Sequence, residues 1–97
     1  MKSATLYVSV EKPKLDLFDL TFNHRVKSII EKIKTIDKMI VDCWAVDMSA
    51  STDKNIAIIA SLHDVKSVER VKDITDSVLK IEHVTKVKYN VGESMIY

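Results

Sequence analysis

Four side chains of this protein are of the kinds that bind soft metal ions, and they are far apart in the sequence. His24, Cys43, His63 and His83 follow one another at intervals of about twenty residues. Protein metal sites commonly take ligands in close pairs, such as CxxC or HxxxH, because both side chains of such a pair can reach one ion. The sequence contains no pair of that kind. We therefore predict no metal site and no cofactor.

The acidic residues likewise give no arrangement suited to catalysis. Asp42 and Asp47 fall in one apolar, strand-like segment. Successive side chains of a strand point to opposite faces, so these two carboxylates cannot work as an acid–base pair. No nucleophile can be placed beside a base elsewhere in the chain. We predict no catalytic residue.

A nucleic-acid partner is not expected either. Tyr7 lies in the first predicted strand, where RNA-recognition motifs carry an aromatic residue that stacks on a base. The companion strand, residues 55–62, has no aromatic residue to match it. The net charge of +1 and the pI near 7.8 give little attraction for phosphates. Lys86 and Lys88 are interpreted as a solvated strand edge.

The apolar side chains repeat with two periods, and the order of these periods predicts the fold. A helical spacing of three and four occurs in a segment that ends near Ile36 and again at residues 65–81. A strand-like spacing of two occurs at residues 5–10, 40–48, 55–63 and 84–91. This order predicts an α+β fold, the ferredoxin-like βαββαβ sandwich, with a four-stranded antiparallel sheet and two helices on one face.

The start of each helix is the least defined part of this prediction. For the first helix, the stripe allows a start near Asn23 or as early as Lys14, directly after Pro13. For the second helix, Asp64 or Ser67 can cap the first turn. The first stripe consists of Leu15, Phe18, Phe22, Val26, Ile29, Ile33 and Ile36. The second consists of Val65, Val68, Val71, Ile74, Val78 and Ile81. In the last strand, we expect Val87, Tyr89 and Val91 to be buried.

Length and composition indicate one globular domain that spans residues 1–97. Apolar residues make up 46% of the chain and charged residues 30%, which is typical of a folded protein and not of a disordered one. The longest apolar run, residues 56–60, is far too short for a membrane span, and residues 1–4 do not begin a signal peptide. We expect no membrane partner and a cytoplasmic location. Many lysines among isoleucines and valines suit a thermophile.

The second and third predicted strands, residues 40–48 and 55–63, are apolar on both faces. This is unusual for a sheet with helices on one side only. A solvated face should carry polar residues along every strand. We therefore predict that a second copy of the chain covers the open face, giving a homodimer or a larger oligomer. The alternative is that residues 14–22 fold over this face. The predicted interface residues are Cys43, Trp44, Ala57 and Ile59.

Residues 36–91 resemble the ligand-binding RAM domain of the Lrp/AsnC transcription regulators. In that family a helix precedes a strand that reads Val-x-x-Cys-Tyr-x-Val, and here Ile36 precedes Val41-Asp42-Cys43-Trp44-Ala45-Val46. The turn Ile81-Glu82-His83-Val84 is similar to the turn into the last strand of the family. The family turn Gly-x-Tyr-Asp is absent. ACT domains and the metal-binding domain of nickel-responsive repressors have the same topology.

The resemblance implies a non-enzymatic regulatory module that binds a small, amino-acid-like metabolite at subunit interfaces. By that resemblance, the polar ligand contacts would come from the connector between the second and third strands and from the end of the third strand. These residues are Asp53, Asn55, Ser61 and His63. Two alternatives remain open. One is a structural or adaptor protein that docks through the open face or residues 95–97, and the other is a small dimeric α+β-barrel enzyme.

Overall fold

A computed structural model of the chain describes residues 2–15, 18, 20–46 and 56–93. Within these residues, strands and helices follow one another in the order β-α-β-β-α-β. The elements are β1 (Lys2–Val10), α1 (Leu20–Lys34), β2 (Ile40–Ala45), β3 (Ile56–Val65), α2 (Val68–Leu79) and β4 (Val84–Glu93). Neither helix is long and apolar enough to cross a membrane.

The four strands form one antiparallel sheet in the order β2-β3-β1-β4. The buried residues of both helices join one apolar core with the strands, so the helices lie on the same face of the sheet. This arrangement confirms the predicted ferredoxin-like α+β fold. Neither α1 nor α2 covers the other face, which we call the open face.

The core lies between the helices and one face of β1, β3 and β2. Leu6 and Val8 of β1 are completely buried, and so are their cross-strand partners Ala60 and Ile58 of β3. Cys43 of β2 pairs with Ala60 and is 4% exposed. Residues directly opposite each other in antiparallel strands point to the same face, so this register brings all five side chains under the helices.

Helix α1 begins at Leu20, so the predicted extension back to Lys14 is wrong. Phe18 has a φ of 61°, a conformation that a right-handed helix cannot contain. Leu15 and Phe18 are therefore out of register with the apolar stripe and are 83% and 88% exposed. Neither side chain packs on the open face. Neither one therefore supports the alternative that residues 14–22 fold over this face. The rest of the stripe is confirmed: Phe22, Val26, Ile29 and Ile33 are buried, and Ile36 packs against the core.

Helix α2 begins at Val68, and Ser67 is its cap, because the Ser67 Oγ accepts a hydrogen bond of 3.3 Å from the Arg70 N–H. Val65, predicted at the start of the helical stripe, is instead the last residue of β3. The neighbouring residue Asp64 has a left-handed backbone conformation, with a φ of 58°.

Val71, Ile74 and Val78 are buried as predicted, whereas Val68 is exposed in the first turn of α2. Ile81 packs against the core.

An ion pair ties the end of α1 to α2. The Asp37 carboxylate accepts a hydrogen bond of 2.9 Å from the Met39 N–H and pairs with the Arg70 guanidinium. The Met39 N–H and the Arg70 charge together hold the pKa of Asp37 below its usual value, against the opposing effect of burial. The ion pair links the turn that leads into β2 to the first turn of α2.

The strand boundaries also differ from the prediction. Strand β2 ends at Ala45, three residues earlier than predicted, and residues 47–50 lie outside the described part of the chain. Strand β4 lies at an edge of the described sheet. Tyr89, predicted to be buried, pairs with Leu6 on the helix-covered face but is 37% exposed at that edge. Val87 and Val91 pack against the core.

Cys43 is a core residue and does not belong to the open face. Burial raises the pKa of its thiol to about 11, and the nearby Asp42 carboxylate acts in the same direction while Lys34 opposes it. Because thiol reagents attack the thiolate, such a group reacts slowly near neutral pH.

We expect the native protein to react with a thiol reagent at pH 8 about 100-fold more slowly than the unfolded protein, from the loss of thiolate alone. The absorbance change with an aromatic disulfide reagent measures this rate, with and without guanidinium. The matched control is the double variant Cys43→Ala, Trp44→Cys, which moves the thiol by one residue onto the open face. At a protein concentration below the dissociation constant of the predicted dimer, it should react at nearly the unfolded rate. Equal rates for native Cys43 and this control would contradict the assigned faces.

Candidate functional site

The open face of the sheet carries a row of large side chains that crosses all four strands. Trp44 of β2 pairs with Ile59 of β3, Ile59 pairs with Tyr7 of β1, and Tyr7 pairs with Lys88 of β4. We call these four residues the apolar row, although it ends in a lysine. Trp44 is 42% exposed, and Tyr7 and Ile59 are partly exposed. Three adjacent apolar or aromatic side chains are thus accessible on the face that neither helix covers.

A second row on the same face is polar. Asp42, Ser61, Thr5 and Asn90 pair across the four strands in the same strand order. Each lies two residues along its strand from a member of the apolar row, or about 6.6 Å. The Asp42 Oδ1 accepts a hydrogen bond of 2.9 Å from the Cys43 N–H. Hydroxyl, amide and carboxylate groups therefore lie directly beside the exposed apolar surface.

Three of the four predicted interface residues lie on this face. Trp44 and Ile59 belong to the apolar row. Ala57 lies at the β-bulge near Ser9, where the register between β1 and β3 shifts. The small side chains of Ala57 and Ser9 are both buried. Cys43 was predicted at the interface but points into the helix-covered core, because strand alternation puts it on the face opposite Trp44. The interface itself stays a prediction.

The predicted ligand residues are only partly brought together. Ser61 lies in the polar row, half-buried between Thr5 and Asp42. His63 is exposed near the end of β3, where its N–H donates a hydrogen bond of 2.9 Å to the Met39 carbonyl. Asp53 and Asn55 lie outside the described residues.

The residues considered as metal ligands are dispersed. No group of three His, Cys, Asp or Glu side chains in the described part of the chain lies close enough to hold a metal ion. Cys43 is in the core and His63 is on the open-face side of β3. His24 and His83, however, lie near each other on the helix side, where they line a common groove.

This groove lies between α1 and the turn that joins α2 to β4. It has a volume of about 360 Å³ and opens to solvent. Its walls are polar apart from one isoleucine, and cationic or hydrogen-bond-donating side chains outnumber acidic ones. The lining residues are Thr21, His24, Arg25, Ser28, Ile29, Lys32, Glu82 and His83.

Glu11 holds the two walls of the groove together. Its N–H donates a hydrogen bond of 2.8 Å to the His83 carbonyl, and its own carbonyl accepts one of 2.6 Å from the Arg25 guanidinium. The Glu11 carboxylate lies 3.5 Å from the His83 Nδ1. His83 has a φ of 74°, a conformation that costs a non-glycine residue about 1 kcal/mol or more and persists only where the surroundings enforce it.

The groove was not predicted, although half of its lining forms a local pattern in the sequence. Thr21, His24, Ser28 and Lys32 are spaced by three, four and four residues, so they form a polar stripe along one side of α1. The other half, His83, comes from a turn more than fifty residues later. No local pattern indicates that this turn faces the stripe.

No protein-family model matches the chain, and no curated protein sequence is significantly similar to it. Solved structures do resemble it. The protein TTHA0845 from Thermus thermophilus superposes with a TM-score of 0.68 at 16% identity, covering 100% of this chain and 99% of that one. The hypothetical protein PHS023 from Pyrococcus horikoshii gives a TM-score of 0.61 at 10% identity, covering 98% of this chain and 93% of that one. Likeness at these identities establishes the shared ferredoxin-like fold and does not extend to function.

Proposed function

We propose that this chain is a non-enzymatic, cytoplasmic regulatory module that pairs with a second copy through the open face of its sheet. At that interface it binds a small, amino-acid-like effector. The observation that carries the proposal is the apolar row, which leaves Trp44, Ile59 and Tyr7 accessible beside one another. The resemblance of residues 36–91 to RAM domains supports the same function.

Burial of the apolar row is the driving force for this association. Tryptophan and tyrosine are the residues that most often dominate the binding energy of protein interfaces, since each buries a large area at a small entropic cost. Four strands spaced about 4.8 Å apart give a face at the small end of stable interfaces, so the dimer should be sensitive to concentration.

The order of the apolar row favours one way of pairing two copies. A two-fold axis parallel to the strands, between β3 and β1, places β2 of one copy over β4 of the other. Trp44 then meets the partner's Lys88, and Ile59 meets the partner's Tyr7. Each of these contacts occurs twice, as a closed two-fold interface requires. A lysine over an indole face is a favourable cation–π contact.

Charge supports the same arrangement. Asp42 lies on the β2 edge of the open face, whereas Lys86 and Lys88 lie on the β4 edge. The axis parallel to the strands brings Asp42 of one copy to the lysine-bearing edge of the other. An axis across the strands would instead place β4 over β4, with lysine against lysine, which is unfavourable at a partly desolvated interface.

The polar row supports binding of the effector. Asp42 can accept hydrogen bonds from the ammonium group of an amino acid, and the Ser61 and Thr5 hydroxyls can bind its carboxylate. His63 lies farther along β3 and is available to the same ligand. In the proposed dimer these groups would line the rim of the buried apolar row.

We expect Trp44→Ala to raise the dissociation constant of the dimer about thirtyfold, which corresponds to about 2 kcal/mol. Sedimentation equilibrium over a concentration series measures this against the 11.0 kDa monomer. The matched control is Leu79→Ala, which removes an equally exposed apolar side chain from α2 on the other side of the sheet and should leave the constant unchanged. A wild-type chain that remains monomeric at every concentration would contradict the proposal.

We expect Asp42→Lys and Lys88→Glu each to weaken the dimer about fivefold, and the double charge-reversed variant to recover most of the loss. The same sedimentation experiment measures all three variants, and their melting temperatures show whether each is folded. If the double variant is folded but recovers none of the loss, Asp42 does not lie at the β4 edge of the second copy, and the proposed axis is wrong.

We expect at least one of the twenty amino acids to raise the melting temperature of the wild-type protein. A ligand at 100 times its dissociation constant adds about 2.7 kcal/mol, or roughly 13 °C for a domain of this size. Ser61→Ala should reduce this shift, whereas Ser77→Ala, on an exposed part of α2, should not. If no amino acid has an effect while the dimer is intact, the effector is rejected, and the alternative of an adaptor that docks another protein is favoured.

A further inference from the structure

We propose that the groove between α1 and the α2–β4 turn is a binding site for a small phosphorylated metabolite, bound through its phosphate group. The groove is on the helix side of the sheet, whereas the proposed dimer interface is on the open face. The two sites are therefore independent, and neither proposal depends on the other.

The charges that line the groove favour an anion. Arg25 and Lys32 project from α1, each about one turn from Ser28, and His24 lies on the same side. The acidic groups nearby are engaged by His83: the Glu11 carboxylate lies 3.5 Å from Nδ1 and the Glu82 carboxylate 3.6 Å from Nε2. Lys32 forms no ion pair with any residue that the structure describes.

The donors also fit a phosphate group in kind. A guanidinium, an ammonium, a hydroxyl and imidazole N–H groups are the side chains that bind phosphate oxygens in proteins, and hydrogen bonds to such charged oxygens are stronger than neutral ones. Carboxylate ligands use at most two oxygens, whereas a phosphate presents three to donors that converge from several directions. Here the donors come from one side of α1, where Arg25, Ser28 and Lys32 line the groove, whereas both ring nitrogens of His83 face carboxylates.

The groove is held in place before any ligand arrives. The bonds of Glu11 to the His83 carbonyl and to Arg25 tie the two walls together. The left-handed backbone of His83 is strained, and strain of this kind concentrates at functional sites. A groove that does not have to be ordered on binding loses less affinity to entropy.

The size of the groove indicates more than inorganic phosphate. Its volume of about 360 Å³ lies in the range of small-molecule sites, several times the volume of one phosphate group. Ile29, the one apolar residue of the lining, is only 2% exposed, so the rest of a phosphate ester would contact mainly polar groups.

The test is a titration of the ¹⁵N-labelled full chain with ribose 5-phosphate and, separately, with inorganic phosphate, at constant ionic strength. We expect saturable amide shifts confined to residues 21–32 and 81–83, and tighter binding of the ester. Lys32→Gln should weaken binding about tenfold. The matched control Lys27→Gln removes a lysine from another side of α1 and should have no effect.

Three results would overturn the proposal. One is the absence of saturable shifts with both compounds, and another is a set of shifts spread over all lysine-bearing surfaces. The third is equal affinity for the wild type, Lys32→Gln and Lys27→Gln, which would show that phosphate contacts the surface without a specific site. Acetate at the same ionic strength separates the two anion classes: shifts of equal size would show a site for carboxylates and would contradict the choice of phosphate.

Discussion

The pairing register of β1 with β3 is the constraint on which the rest of the structure depends. It places Leu6 opposite Ala60 under the helices and, one residue along, Tyr7 opposite Ile59 on the open face. Because side chains alternate along a strand, a slip of one residue would exchange these two sets and remove the core. Packing of the apolar sides of the helices against one face of the sheet fixes the register. The register in turn determines which apolar residues remain exposed on the other face. The apolar row, with its accessible aromatic surface, is thus a consequence of the same pairing that forms the core.

The groove shows a second consequence of the topology. In this fold the end of β1 and the start of β4 are adjacent, so the loop after β1 meets the turn before β4. Glu11 and His83 lie in these two connections, and their hydrogen bond accompanies the strained backbone of His83. Helix α1 packs beside them and contributes Arg25 and Lys32. Loops that a rigid scaffold holds in place carry a large share of the binding residues of proteins, and both of these connections are of that kind.

Periodicity in the sequence was sufficient for the element order, the fold class and most of the core. It succeeded because alternation in β1 and the stripe from Phe22 to Ile33 are local consequences of burial on one face. It failed where a single backbone conformation decides the outcome, as at Phe18, where one left-handed residue separates Leu15 from the helix. The sequence also showed that β2 and β3 are apolar on both faces, without indicating which face the helices cover.

Only the tertiary structure decided that Cys43 belongs to the core and Trp44 to the open face. Both residues lie in one apolar strand, and alternation separates them but does not say which one faces the helices. Likewise, the polar stripe on α1 is visible in the sequence, but its meeting with His83 depends on packing between segments more than fifty residues apart. The amino-acid sequence by itself determined the pattern along each element, because that pattern is local. The assignment of faces and the assembly of the groove required the folded chain, because they arise from contacts between elements.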